Sequence, residues 1–190
     1  MIQSFEPSSK GGGTAMNLYF RLLWLSLMAR FRPRLGALDE SVLRMRVWPF
    51  DLDLNRHMNN GRFLTLMDLG RIDLMLRSGL GRVVVRERWM PVIASSMVRW
   101  RRSLLPFQRF ELRSRMLCWD DKWFYVEQRF VRDGRTVAIG LVKGVIRCRG
   151  GHVPPAEVFA QVLGQAPEAP PVPAAIEDWR AFEGHLSGLD

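Results

Sequence analysis

The densest chemistry in the chain lies between Asp51 and Asn60. These ten residues, DLDLNRHMNN, hold two carboxylates, one histidine and three asparagines. Three kinds of chemistry use such groups. Asp51-x-Asp53-x-Asn55 imitates the opening of a calcium-binding helix-loop-helix loop. That loop requires glycine at its sixth position and a bidentate carboxylate at its twelfth, where this chain has Arg56 and Arg62, so calcium is rejected. A structural reading has Asp and Asn making the turn and capping a helix, with His57 hydrogen-bonded in the core. A catalytic reading places a carboxylate just before a helix N-terminus. Free N–H groups there carry partial positive charge and polarise a carbonyl such as that of a thioester, while the carboxylate attacks it or activates water. Spacing alone leaves the last two readings open.

The flanking elements must position this turn. Before it, residues 42–50 alternate, with Leu43, Met45 and Val47 opposite Arg44 and Arg46, which predicts a half-buried strand. After it, the period changes to helical from Asn60 to Ser78. Apolar residues such as Phe63, Leu66, Met67, Leu69, Ile72 and Leu74 cover most of the circumference, so this helix is expected to be buried nearly all round. Asn59 or Asn60 suits its N-cap and Gly79 its C-terminal end, and Asp73 and Arg77 form an i,i+4 pair on its expected wetter face. Mid-helix Gly70 suits a close approach to a sheet. Only strand signals are read beyond the helix, at residues 92–101, 109–119, 122–132 and 135–148, with Asp120-Asp121 and Asp133-Gly134 as turns. Gly140 and Gly144 are expected to bend the last strand. One strand, a long helix and an antiparallel meander make an α+β layer architecture.

With 190 residues, 47% of them hydrophobic, the chain suits one domain with tails and excludes wholesale disorder. Cys118 and Cys148 make no disulfide framework or zinc spacing, which suits a reduced, cytoplasmic protein. The net charge is +9, and all basic residues except Lys10, Lys122 and Lys143 are arginine. They form no run of five, so the excess reads as a solvated surface and not as a nucleic-acid footprint. Residues 1–15 read as a leader or expression extension with a Gly-Gly-Gly spacer. Residues 16–38 follow as an apolar N-terminal helix. Its stretch 17–31 is too short to span a bilayer but suits docking on the domain, on a partner subunit or on a membrane surface. Residues 39–164 form the expected domain. Residues 165–190 comprise a Pro-rich linker, expected to add nothing to the core, and a short helix from Ile176 to Leu189.

The segment VWPFDLDLNRHMNNGRFL, residues 47–64, resembles the strand-loop-helix signature of hotdog-fold acyl-CoA thioesterases of the 4-hydroxybenzoyl-CoA type. HMNNGRFLTLMDLGRIDL is similar to the THEM6-like branch of that superfamily. The resemblance covers roughly residues 39–150. It implies a hotdog fold, a long central helix wrapped by a five- to six-stranded antiparallel sheet. It also implies that Asp53 is the nucleophile or general base, that the backbone amide of Asn60 holds the thioester oxygen, and that His57 and Asn59 shape the pocket or position water. Asp51 matches a turn-forming acid. Asp68, eight residues after Asn60, matches the helix carboxylate used by another branch and is the reserve candidate. Arg56 stands where many relatives have glycine and brings a cation toward the phosphates of coenzyme A. Met58, Phe63 and Met67 offer apolar lining for a fatty or aromatic acyl group. Coenzyme A enters as part of the substrate, with no separate cofactor or metal. A homodimer, peripheral membrane contact through residues 17–31 and a place in lipid metabolism complete the expectation. The same fold also serves non-catalytic acyl-CoA or lipid binding, and enoyl-CoA hydration with His57 as base.

Overall fold

The computed structural model describes residues 12–186. Helix α1 (Gly12–Ala29) leads to strand β1 (Ser41–Arg46), a single 3-10 turn (Pro49–Asp51) and helix α2 (Asn60–Ser78). Helix α3 (Leu80–Arg86) precedes strands β2 (Met90–Trp100), β3 (Arg109–Trp119), β4 (Phe124–Arg132), β5 (Arg135–Cys148) and β6 (Gly151–Val153). Helices α4 (Pro155–Leu163) and α5 (Ala174–Leu186) complete the chain. The antiparallel sheet has the order β1-β3-β4-β5-β2, with β6 beside β5. The expected α+β hotdog architecture is present: α2 lies against one face of a six-stranded antiparallel sheet.

Local chemistry explains the element ends. The first strand stops at Arg46, short of the expected residue 50, because Pro49 has no N–H for the ladder and starts the 3-10 turn. Asn59 is the N-cap of α2, its side chain accepting from the Gly61 amide at 2.8 Å, and Gly79 ends the helix at φ 88°. The β4–β5 turn uses Asp133 and Gly134, both at positive φ, as a two-residue hairpin with right-handed twist demands. Asp120 Oδ1 accepts from the amides of Lys122 and Trp123, so β4 begins at Phe124 and not at residue 122.

The main core joins Phe63, Leu66, Met67 and Leu69 of α2 to Phe110 and Leu112 of β3, Phe130 of β4 and Val142 of β5. Gly70 is the point of closest approach. A Cβ there would meet Ser114 Oγ, Gln128 Nε2 at 2.7 Å and Leu112 Cδ2 at 3.0 Å. Gln128 is fully buried and donates to Met67 O and Ser114 Oγ, both at 2.8 Å, so helix and sheet are joined by a satisfied polar contact. Gly140 of β5 likewise leaves room for the end of the Met67 side chain.

Three expectations need correction. Residues after α2 are not all strand: α3 forms despite its three consecutive valines, because its apolar face packs with α4 against Trp119, Phe124 and Ile146. The Asp73–Arg77 pair is not on a wet face. Asp73 is fully buried, receiving Ser41 Oγ at 2.5 Å, Arg32 Nη1 at 2.8 Å and Arg77 Nη1 at 3.2 Å, because the α1–β1 connection crosses over it. The C-terminal segment does build core. Val172, Ile176 and Trp179 cover Cys118 and Tyr125 on the sheet, and Arg180 pins α5 through Tyr125 Oη at 2.8 Å and Asp120 Oδ2 at 2.7 Å. The expected leader lies outside the described residues up to residue 11, and α1 begins within it at Gly12.

Candidate active site

The polar turn is a narrow loop closed by its own backbone. Leu52 and Met58 form an antiparallel bridge, the Asp53 amide donates to His57 O at 2.9 Å, and the Asn59 amide donates to Asp51 O at 2.9 Å. The Met58 amide donates to Leu104 O at 2.8 Å and fixes the loop against the segment after β2. Arg56 sits at the tip with φ 61°, in the left-handed region that favours glycine. The loop therefore takes a glycine-like backbone at Arg56 and carries an exposed guanidinium there.

The two acids of the loop have different surroundings. Asp51 is fully buried and accepts from the Trp48 amide at 2.9 Å, from Arg21 at 2.7 Å, and from Nη2 and Nε of Arg62 at 2.9 and 3.1 Å. Every lone-pair direction is committed, so Asp51 ties α1, the 3-10 turn and α2 together. Asp53 is half-buried. Its Oδ1 accepts from the Asn55 amide at 2.8 Å and the His57 amide at 3.5 Å. His57 Nδ1 lies 3.6 Å from Oδ1, beyond good hydrogen-bond length. Asp53 Oδ2 has no partner among the described residues.

At the start of α2, the Asn59 side chain is occupied by capping, and its carbonyl accepts from the Arg62 amide at 2.9 Å. The Asn60 amide donates to no acceptor among the described residues. It is one of the free N–H groups every helix presents at its positive end. The loop thus supplies a carboxylate oxygen with free lone pairs and leads into a helix start with an unused donor. Such groups can deliver a nucleophile to a carbonyl and hold the oxygen that becomes negative.

The remaining candidates separate from this pair. Asp68 lies about 12 Å further along α2, faces solvent and is paired with Arg71. Burial lowers the Arg71 pKa, opposed by the charge of Asp68. Met58, Phe63 and Met67 are buried within the main core. A separate, almost wholly apolar cavity of about 110 Å³ lies between the second half of α2 and the sheet, lined by Leu74, Met75, Val92, Phe124, Val142 and Phe159 among others. Sequence reasoning missed Arg21 and Arg62, the two counter-ions of Asp51. The signals were an arginine inside an apolar helix and another in the first turn of α2. Among the described residues no group of three His, Cys, Asp or Glu is placed to hold a metal ion, and no helix is long and apolar enough to cross a membrane.

Comparison with known proteins agrees with this geometry. Residues 47–179 match the profile of the Thioesterase-like superfamily. Protein THEM6 of Xenopus laevis is 38% identical over 165 residues, covering 85% of this chain and 77% of that protein. Protein THEM6 of Danio rerio is 32% identical over 167 residues, covering 86% and 81%. Among solved structures, the probable thioesterase YbaW from Escherichia coli superposes with a TM-score of 0.60 at 18% identity, covering 67% of this chain and 98% of that one, which is likeness of fold. A helix wrapped by a curled antiparallel sheet, a polar loop feeding its N-terminus and these relatives agree: the chain belongs to the thioesterase-like superfamily and is a thioester hydrolase of the hotdog fold.

Proposed function

We propose that the protein hydrolyses acyl-CoA thioesters, with Asp53 attacking the acyl carbonyl or activating water and the Asn60 amide holding the developing oxyanion. The observation that carries this reading is the unoccupied Asp53 Oδ2 in the loop that leads into a helix start with a free amide. Its neighbour Asp51 has no such capacity, because Arg21, Arg62 and the Trp48 amide take its lone pairs. In this reading His57 and Asn59 shape the loop, and the exposed guanidinium of Arg56 is assigned to the phosphates of coenzyme A. A fatty or aromatic acyl group, in keeping with lipid metabolism, stays the substrate class of this reading, although the apolar cavity lies along the second half of α2 and away from the Asn60 amide.

A second copy of the chain is the partner of this reading. Edge strand β2 is 11 residues long and exposes Met90, Ile93, Met97 and Trp100, and an edge of that kind calls for a covering strand. Both cysteines are free, which suits a reducing compartment such as the cytoplasm, and α1 suits peripheral contact with a membrane surface. The test is thiol release from short, long and aromatic acyl-CoAs by the parent protein, Asp53→Asn and Asp68→Asn. Release that Asp53→Asn loses and Asp68→Asn keeps supports the assignment. Loss only at Asp68 moves the chemistry onto the helix, and a folded parent that releases no thiol from any substrate overturns the reading. Sedimentation of Met97→Glu beside the parent tests the dimer, which the substitution is expected to dissociate.

A further inference from the structure

Helix α1 has two unlike faces. Leu18, Leu22 and Leu25 pack on the main core, and Arg21 reaches Asp51. The opposite side exposes Tyr19, Phe20, Leu23, Trp24 and Leu27, each at least half accessible, and Phe31 is exposed just past the helix end. Spacings of four along 19, 23 and 27 and along 20 and 24 put the helical five in one stripe, with Arg30, Arg32 and Arg34 following its C-terminal end. A soluble surface seldom carries so many large apolar side chains together, whereas a helix lying in a lipid interface requires them.

Beside this stripe, an open groove of about 720 Å³ runs between α1 and the free edge of β1. Four of its lining residues are arginines, Arg21, Arg32, Arg44 and Arg46, and no carboxylate lines it. Trp24 of the exposed stripe and Phe31 just past the helix contribute to its apolar lining. The arginines are unequally satisfied. Arg21 and Arg32 rest on Asp51 and Asp73 beneath the groove, but Arg21 Nη1 is buried with no hydrogen-bond partner. Among the described residues Arg46 meets no carboxylate and lies over the Trp48 ring, and the largely exposed Arg44 reaches Glu111 alone, at 3.6 Å. Arg46 also stands opposite Arg109 across the β1–β3 ladder, on the neighbouring surface that Glu111 and Asp133 help to line.

We propose that the groove between α1 and β1 binds the phosphate headgroup of an anionic phospholipid while the exposed face of α1 lies in the membrane interface. The inference rests on reading α1 as an interfacial helix and adds the headgroup that helix would select. Guanidiniums match phosphate oxygens as planar forks, and the aromatic wall meets the first carbons of the acyl chains. A basic residue beside an anionic surface strengthens attachment about fivefold, so Arg44 and Arg46 together account for roughly 25-fold.

Flotation of the full chain with vesicles tests this, using phosphatidylcholine alone and phosphatidylcholine with phosphatidylglycerol. The expected result is preference for the phosphatidylglycerol vesicles. Arg44→Gln/Arg46→Gln should lose it roughly 25-fold with an unchanged circular dichroism melt, and Trp24→Ser/Phe31→Ser should lose attachment to both vesicles. Equal binding to both compositions, unaffected by the arginine substitutions, overturns the headgroup site and leaves the interfacial helix standing. Binding to neither overturns both. Glycerol phosphate is the soluble arm: a saturable thermal shift that the double glutamine variant abolishes, without any vesicle attachment, would give the groove to a free phosphate compound and overturn the lipid assignment.

Discussion

Asp51 and Asp53 are two residues apart, and substituting each by asparagine should produce opposite phenotypes. Asp51 holds two guanidiniums whose side chains are 13% and 11% exposed, and it is itself sealed from solvent. An amide in its place returns no charge and turns an N–H group toward those donors. Removing one partner of a buried ion pair costs about 3–5 kcal/mol. For a chain of this size, where 1 kcal/mol moves the melting temperature by about 2–4 °C, Asp51→Asn should melt roughly 10 °C or more below the parent. Asp53→Asn keeps an oxygen for the Asn55 amide and loses only a half-solvated charge, so its stability should change by no more than about 1 kcal/mol. Its rate should fall at least about 100-fold, as expected when a general base or nucleophile is removed. Melts followed by circular dichroism and thiol release on the same preparations read both effects. An Asp51→Asn protein as stable as the parent, or an Asp53→Asn protein at full rate, would refute the division between a structural and a chemical acid.

Gly70→Ala should destabilise by about 1–3 kcal/mol in denaturant titration, because the added methyl meets Gln128 Nε2 and Ser114 Oγ, which cannot retreat from a bonded network. Arg56→Gly should stabilise by up to about 1 kcal/mol by relieving the left-handed backbone at φ 61°, the flexible glycine taking back part of the gain. The same substitution should raise KM for acyl-CoA more than it lowers kcat if the Arg56 guanidinium meets phosphates. Stability should also fall in alkali. Burial pushes up the pKa of both the Cys118 thiol and the Tyr125 hydroxyl, against the opposing pull of Arg180, from ordinary values of 9.0 and 10.0. The unfolded chain therefore ionises first, so the stabilisation is complete below about pH 9 and is lost as pH rises beyond it. Melts between pH 7 and 11 should show this decline, with a shallower upper part in Tyr125→Phe.

Elements governed by near neighbours were legible in the sequence. Strands β3 and β5 begin and end where alternation and the Asp133-Gly134 turn place them, and the α2 caps follow from Asn59 and Gly79. Helix α4 obeys the same rules, with Pro155 in its first turn and Gly164 left-handed after its last, so its signal was present but unread. Helix α3 was not legible, since consecutive valines favour strand until α4 gives them a helical packing partner. The fate of the charges was hidden for a different reason. Asp73 meets Arg32 and Ser41 from far along the chain, and Asp51 meets Arg21 across 30 residues, so neither burial is written in local periodicity. The free amide of Asn60 and the spent side chain of Asn59 likewise follow from which of two adjacent asparagines caps α2.

The salt link from Arg21 to Asp51 bears on where this protein can be cut. The profile of the superfamily matches from residue 47, which invites an excised fragment from there to residue 179. Such a fragment would discard the whole of β1, strip Asp51 of one counter-ion and deprive Asp73 of Arg32 and Ser41. Strand β3 would become a raw edge, with Leu112 and Phe110 stripped of their cross-strand neighbours Leu43 and Met45. The span of the family profile is thus smaller than the unit that folds, and any minimal version of this hydrolase has to begin upstream of Arg21.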